Sequence, residues 1–359
     1  LPHVVELTTR AGRAMDKLRL HAMLSQVSVP RAAVGVAQRL AVRKGKKLPG
    51  RDPVLLDQAL IAKAASEPYN SLYRDAWVLM DRIDRADDNA EHLYRYLMHE
   101  RPDINAWFLL EAGSPDWNRL KNDGFRLVAF GTDEAVLLVL NAAYKISSHA
   151  DRSIQYPIDP NRFGRGKAKI VFLQHGVTKD DLSRWINGKQ LALMITATNA
   201  EQRSIVGDKT PYKWSTEEVK LTGFPRHDRL RRIADACPVS ERRTILIAPT
   251  WRQYMTEALS RLSSPSEKSG YFESTKYGFN WLGLLRSPGL AKMARDSGLA
   301  VKFLGHPNLA EIIGLLDLPQ FVECVNYSDI RIQDELAGSA VVVSDFSSLV
   351  FDAAFAGSN

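Results

Sequence analysis

Short apolar segments that alternate with helical segments are the feature that most constrains the fold of this chain. The first lies at 76–80, and others follow at 105–110, 125–130 and 168–173. Strands separated by helices of about ten to fifteen residues predict βαβ units and a parallel sheet. Such sheets bind ligands at the carboxyl ends of their strands. The alternation therefore predicts an α/β fold whose functional residues lie along one edge.

The length of the chain predicts more than one domain. Its 359 residues exceed one ordinary core, and a second series of strands and helices follows residues 229–238. We predict an accessory basic helical segment at 1–66 and Rossmann-like domains at 67–232 and 233–359. The polar, serine-rich stretch 260–277 predicts a mobile surface loop. Because the chain starts at Leu1 and stops just inside a predicted helix, we expect a fragment with a truncated second domain.

Much of the positive charge lies near the start of the chain. The net charge is +7, and residues 1–51 hold many Lys and Arg but only two acids, Glu6 and Asp16. Such a segment could lie on an anionic membrane surface or form a solvated face. Nucleic acid is not expected, because no aromatic interleaving accompanies the charge. Cys237 and Cys324 form no disulfide or metal pattern, which favours a reducing cytoplasm, and no apolar run approaches the ~18 residues of a membrane span.

Two histidines at strand ends are candidates for proton transfer. His175 follows an apolar strand in Gln174-His175-Gly176, and the glycine would let a substrate approach closely. His306 ends a strand of the second domain, before Pro307. Asp81, Arg82 and His149 end other strands. Each histidine could instead be an ordinary hydrogen-bonded loop residue.

The segment 341–352 predicts a strand, a hydroxyl-rich turn and a helix. Ser344 or Asp345 could cap the helix, while Ser347, Ser348 and free backbone N–H groups could bind a phosphate. An ordinary capped helix explains the same residues. Arg252, beyond another strand, offers a planar fork for phosphate oxygens or a surface ion pair.

Several site classes lack their motifs. Asp87 and Asp88 are better explained as acids at a helix N-terminus than as metal ligands. The sequence contains no metal-binding, phosphate-loop, nucleophile-elbow or dinucleotide motif. No metal and no cofactor are therefore expected.

Six motifs in order resemble the CDP-glycerol glycerophosphotransferase family of teichoic acid and capsule polymer synthesis. They are 85–90, 174–176, 222–228, 248–252, 306–307 and 344–348 with 351–352. The resemblance implies a GT-B fold, in which two Rossmann-like domains face a cleft and the C-terminal domain holds CDP. It also implies metal-independent transfer of a polyol phosphate from a CDP-polyol to a lipid-linked or polysaccharide acceptor hydroxyl, at the cytoplasmic membrane face.

The resemblance also implies roles for individual residues. His175 matches the base, and His306 matches the histidine at the donor pyrophosphate. The donor would be held by Arg252, Thr250, Ser347, Ser348, Asp345 and Asp352, the last two at the ribose or as ordering contacts. The acceptor side or the cleft structure would involve Gln174, Gly176, Arg82, Arg226 and His227. The sequence Leu-Gln-His-Gly-Val at 173–177 leaves the polyol and the acceptor open.

Two other functions remain open from the sequence. A glycosyltransferase or epimerase that uses a UDP-sugar could have the same two-domain fold. A non-catalytic module that binds a membrane or a partner could keep the fold with an inactive cleft.

Overall fold

The computed structural model describes residues 53–306, 309–327 and 329–358. The chain divides into two compact units, residues 1–62 and 63–359. The predicted basic helical segment lies mostly outside the described residues. Its last part is helix α1, Pro53–Ala64, which agrees with the helical pattern of this stretch. Helix α2 is Tyr69–Leu72.

The first sheet has seven parallel strands in the order β3-β2-β1-β4-β5-β6-β7. Its strands are β1 Ala76–Met80, β2 Ala106–Leu110, β3 Leu127–Ala129, β4 Ala142–Ser147, β5 Lys169–Phe172, β6 Leu193–Thr196 and β7 Val219–Leu221. The helices between and after them are α3 Asn89–Glu100, α4 Trp117–Asn122, α5 Asp133–Leu140, α6 Arg152–Gln155, α7 Pro160–Phe163, α8 Ser183–Ile186, α9 Asn199–Val206 and α10 Pro225–Asp235. The strand order reverses between β1 and β4, which makes that point the switch point.

The second sheet has four parallel strands in the order β10-β9-β8-β11. They are β8 Thr244–Ile247, β9 Ala300–Leu304, β10 Val322–Val325 and β11 Ser339–Val343. The helices are α11 Gln253–Ser260, α12 Pro265–Ser274, α13 Lys276–Leu285, α14 Pro288–Ser297, α15 Ala310–Ile313, α16 Ile332–Gly338 and α17 Leu349–Phe355, and Val239–Glu241 forms a 3₁₀ turn before β8. The switch point here lies between β8 and β11.

Apolar residues of the strands pack against helices to form the core. In the first sheet Leu79 and Phe108 are fully buried beside α3. Tyr94 of α3 stacks on Phe125 with ring centroids 4.4 Å apart. In the second sheet Ile247 and Phe303 are buried with Leu285. Continuous burial along strands is typical of parallel sheets covered on both faces.

The predicted mobile loop at 260–277 is wrong, because α12 and α13 occupy most of this stretch. Ser264 and Glu267 form a reciprocal capping box that starts α12. The Thr275 hydroxyl accepts the Gly278 N–H and starts α13. Phe272 and Tyr277 are buried in the core of the second sheet. The polar composition therefore reflects helix caps and exposed faces.

The predicted GT-B-like arrangement, an α/β fold with two parallel sheets, is confirmed. Both sheets belong to the compact unit 63–359. The predicted domain boundary at 232–233 lies within α10 and stays a prediction.

Candidate active site

The switch point of the first sheet carries Asp81, Arg82 and Ser148. The buried Asp81 carboxylate accepts hydrogen bonds from the backbone N–H groups of Asp88 (3.1 Å) and Ala90 (2.8 Å). The Ser148 hydroxyl also donates to it. Burial, followed by the charge of Asp88, raises the pKa of Asp81 to about 8. Asp81 thus joins the end of β1 to the start of α3.

Asp88 caps helix α3, as predicted for an acid at this position. Its side chain accepts the Asn89 N–H, and the N-terminal helix dipole favours its negative charge. Asp87 precedes it with a left-handed backbone, φ 72°.

Gln174 fixes the loop that presents His175. Gln174 has a left-handed φ of 57° and a buried side chain that donates to the Ile195 carbonyl at 2.6 Å. Its backbone carbonyl accepts the Asn89 side-chain N–H at 2.8 Å. The adjacent His175 is exposed and stacks on buried His149, with ring centroids 4.7 Å apart. The sequence therefore folds so that one side chain is anchored and the next faces the cleft.

Both stacked histidines are held in the neutral form. Burial lowers the pKa of His149 to about 2, helped by the charges of His175 and Arg82. Desolvation by the surrounding protein lowers the pKa of His175, and the positive charges of Arg82 and Arg226 lower it further. The negative charge of Asp88 opposes this lowering. A neutral imidazole can accept a proton, so His175 meets the electrostatic requirement of a general base.

The charge of Arg82 acts on both predicted histidines, His175 and His306. It is exposed, and within the described residues its guanidinium has no hydrogen-bond or ion-pair partner. The pKa of His306 is lowered by burial and then by the charge of Arg82, which also acts on His175. The His306 ring stacks on Trp251, with centroids 5.6 Å apart. We call Arg82, His149, His175 and His306 the His175 cluster.

The switch point of the second sheet brings Thr250, Arg252 and Asp345 together. Asp345 accepts the Thr250 backbone N–H at 2.8 Å and pairs with the Arg252 guanidinium. Although burial opposes it, these hydrogen bonds and the Arg252 charge lower the pKa of Asp345. Arg252 therefore forms an ion pair with Asp345, which was one of the two interpretations of this arginine from the sequence.

The predicted cap by Ser344 or Asp345 is wrong. The Ser344 hydroxyl donates to the Ala248 carbonyl at 2.6 Å, and Asp345 binds Thr250 and Arg252 instead. The helix begins three residues later than a cap at Asp345 requires, because Ser344 and Asp345 instead bond to the segment that follows β8. The Ser347 hydroxyl accepts the Leu349 N–H at 3.2 Å.

The loop after β5 of the first sheet touches the turn after β11 of the second sheet at Gly176 and Ser348. A Cβ atom on Gly176 would lie 2.7 Å from the Ser348 Cβ, closer than real Cβ contacts allow. The glycine is therefore required by close approach of the two segments. Beside it lies a cavity of about 200 Å³ whose lining includes His175, Trp185, Tyr212, Phe346 and Phe351.

A second group of charges joins the two sheets beside the stacked histidines, with Asp88 3.8 Å from His149 Nε2. The buried Arg226 guanidinium donates to Asp88 and to Asp352, both at 2.8 Å. His227 Nε2 lies 2.8 Å from the other Asp352 oxygen. We call Asp88, Arg226, His227 and Asp352 the Arg226 cluster. Because both Asp352 oxygens are engaged, the geometry favours the ordering contact over the ribose contact.

Sequence reasoning missed further contacts between the two sheets. Arg331 donates to Asp87 at 3.0 Å, and the Gln333 amide lies 2.8 Å from His92 Nε2. These partners are 244 and 241 positions apart. No local signal marks such pairs.

Within the part of the chain that the structure describes, no group of three or more His, Cys, Asp or Glu side chains is placed to bind a metal ion. Among the same residues, none of the helices combines the length and the apolar character that a bilayer span requires.

The family model of the CDP-Glycerol:Poly(glycerophosphate) glycerophosphotransferase matches residues 71–356. The chain is 28% identical over 306 residues to the minor teichoic acid biosynthesis protein GgaB of Bacillus subtilis (strain 168). This match covers 84% of the chain and 33% of GgaB, so the chain spans about one third of that relative's length.

Two solved structures are similar at low identity. A variant of the wall teichoic acid polymerase TagF matches at 14% identity and a TM-score of 0.48, covering 84% of this chain and 73% of the other. The UDP-N-acetylglucosamine 2-epimerase from Rickettsia bellii matches at 12% identity and a TM-score of 0.41, covering 77% and 76%.

Proposed function

Because the chain belongs to the CDP-glycerol:poly(glycerophosphate) glycerophosphotransferase family, we propose that it transfers a polyol phosphate from a CDP-polyol to an acceptor hydroxyl and releases CMP. Glycerol phosphate is the first candidate, in the synthesis of a teichoic acid or capsule polymer. The observation that carries the proposal is the exposed His175, neutral and next to the switch point, within the matched residues.

The proposed chemistry is an in-line displacement at phosphorus. His175 accepts the proton of the acceptor hydroxyl while its oxygen attacks the phosphorus that bears the polyol. The new O–P bond forms, the P–O bond to CMP breaks, and CMP leaves with the electron pair. The apolar cavity beside His175 would take the acceptor.

Charge on the donor phosphates must be stabilised during transfer. Arg82 supplies a cation without a partner among the described residues, and Arg252 supplies the N–H groups that Asp345 leaves open. The lowered pKa of His306 favours a neutral hydrogen-bond donor at the donor pyrophosphate. The Ser347 and Ser348 hydroxyls would add contacts. We include metal independence in the proposal, and activity that survives EDTA tests it.

CMP release from CDP-glycerol and CDP-ribitol tests the function. His175→Ala should lower the rate by roughly a hundredfold or more, the contribution of a general base. His99→Ala is the matched control, because His99 is exposed on α3 outside the cleft, and it should keep wild-type activity. Unchanged release in His175→Ala contradicts the base, and turnover of a UDP-sugar in place of either CDP donor contradicts the function.

We also propose a peripheral position on the cytoplasmic membrane face through the basic segment 1–66. Arg43, Lys44, Lys46 and Lys47 lie outside the described residues, so the support is their charge alone. Binding to anionic vesicles should weaken with salt and with charge reversal at these four positions. Binding that is independent of salt contradicts this part of the proposal.

A further inference from the structure

A second cavity, of about 320 Å³, lies on the first sheet near the starts of β5 and β6. Its lining includes four basic residues, Lys145, Arg165, Lys167 and Lys169, together with Tyr156. None of its described lining residues is acidic. Because β5 spans four residues at roughly 3.3 Å each, about 13 Å of strand separates this groove from the His175 loop. We call it the basic groove.

The local sequence explains how the cations reach one groove. Arg165 and Lys167 lie in the loop that precedes β5, and Lys169 is the first residue of β5. Gly164 and Gly166 have left-handed φ values of 75° and 70°, which lets the loop turn before β5.

Lys145 enters the same groove from β4. Its side chain is buried, with 6% of the residue exposed, and Nζ donates to the Gln155 carbonyl at 2.5 Å. The ammonium lies 5.3 Å from the centroid of the Tyr156 ring. An ammonium group has three N–H donors, and among the described residues only this carbonyl accepts from it. The remaining N–H donors are therefore available to a ligand.

The positive charge of the groove favours binding of an anion. Burial lowers the pKa of Lys145 to about 8, so the ammonium is still the main form at neutral pH. The charges of Arg165, Lys167 and Lys169 have no ion-pair partner among the described residues. An anion in the groove would accept from the unmet N–H donors of Lys145 and would pair with the unpartnered charges at its opening.

We propose that the basic groove binds a phosphate group, with Lys145 at its base and Arg165, Lys167 and Lys169 around its opening. Phosphate oxygens accept from ammonium groups and from the planar guanidinium fork of Arg165. The chemistry fits a free phosphate and the headgroup of an anionic lipid alike. This site is separate from the His175 cluster and does not depend on the proposed transfer reaction.

The test compares a groove variant with a matched surface variant of the full chain. The groove variant carries Arg165→Ala, Lys167→Ala and Lys169→Ala. Because these three side chains are exposed, the variant should fold normally. The control carries Lys121→Ala, Lys209→Ala and Lys220→Ala, exposed lysines outside the groove. Inorganic pyrophosphate is titrated by calorimetry, and vesicles with phosphatidylglycerol are co-sedimented beside phosphatidylcholine vesicles.

We expect the groove variant to bind at least tenfold more weakly than the control variant. Loss of pyrophosphate binding supports a free phosphate ligand, and loss of only phosphatidylglycerol binding supports a lipid headgroup. Lys145→Met, if it folds by circular dichroism, should reproduce the loss. Equal binding by the groove and control variants overturns the proposal, as does the absence of binding to both probes in the wild type.

Discussion

The Arg226 cluster and the His175 cluster lie between the same two sheets and differ in how far their charges are satisfied. In the Arg226 cluster the guanidinium has two carboxylate partners, and Asp352 is shared between Arg226 and His227. In the His175 cluster, the Arg82 guanidinium has no such partner among the described residues, and His175 is exposed. The first arrangement stabilises one relative position of the sheets. The second leaves charge and a proton acceptor available to a substrate.

Arg226→Ala should give the largest stability effect. Removing one partner of a buried ion pair costs about 3–5 kcal/mol, because the remaining charges stay buried and unpaired. Arg231→Ala on the same helix is the control, since its pair with Asp235 is exposed and such pairs contribute about 0.5 kcal/mol. Urea denaturation measures both. A loss at Arg226 no greater than at Arg231 would mean that the cluster does not join the sheets.

Glu91 is another buried carboxylate paired with arginines, and its ionisation makes the stability of the folded state depend on pH. Although burial opposes ionisation, Arg119 and then Arg95 lower the pKa of Glu91 to about 2, from 4.5. A lowered pKa stabilises the folded state above pH 4.5, and this stability is lost as the pH falls from 4.5 towards 2. At 1.36 kcal/mol per pKa unit the loss is about 3 kcal/mol.

Glu91→Gln should lack this part of the pH dependence of the free energy of unfolding. Glu100→Gln, an exposed position on the same helix, serves as the control and should behave as the wild type. Parallel pH curves for the wild type and Glu91→Gln would contradict the assigned cause.

Gly176→Ala probes the contact between the two edges. The added methyl must displace Ser348, and such overpacking costs about 1–3 kcal/mol. Ser348→Gly in the same chain removes the clash and should restore most of the lost stability. Gly188→Ala meets only an ordinary contact at 3.7 Å and is the control. Additive effects of Gly176→Ala and Ser348→Gly in a double-mutant cycle would show that the two residues do not touch.

Both edges of the cleft could be predicted from sequence because their signals are local. Buried parallel strands are continuous apolar runs, and the polar residues at their ends follow directly, as at Met80-Asp81-Arg82. Helix α12 was missed because its composition is polar, although Ser264 and Glu267 carry the capping-box spacing. The Arg226 cluster could not be predicted as a cluster. Its partners are 126 and 138 positions apart, and ion pairs at such distances leave no periodic pattern.

Arg82→Gln should give the smallest effect and the sharpest test of the His175 cluster. The charge of Arg82 lowers the pKa of both His175 and His306, so its removal should raise both values. Histidine titration by NMR measures this without substrate. If His175 is the base, the acidic limb of the rate profile, which we expect below pH 6.5 in the wild type, should move to higher pH by the same amount. Arg74→Gln, an exposed arginine before β1, is the control. If the pKa values of both histidines stay unchanged in Arg82→Gln, the charge of Arg82 does not act on either of them. The two clusters would then differ only in the solvent exposure of their side chains.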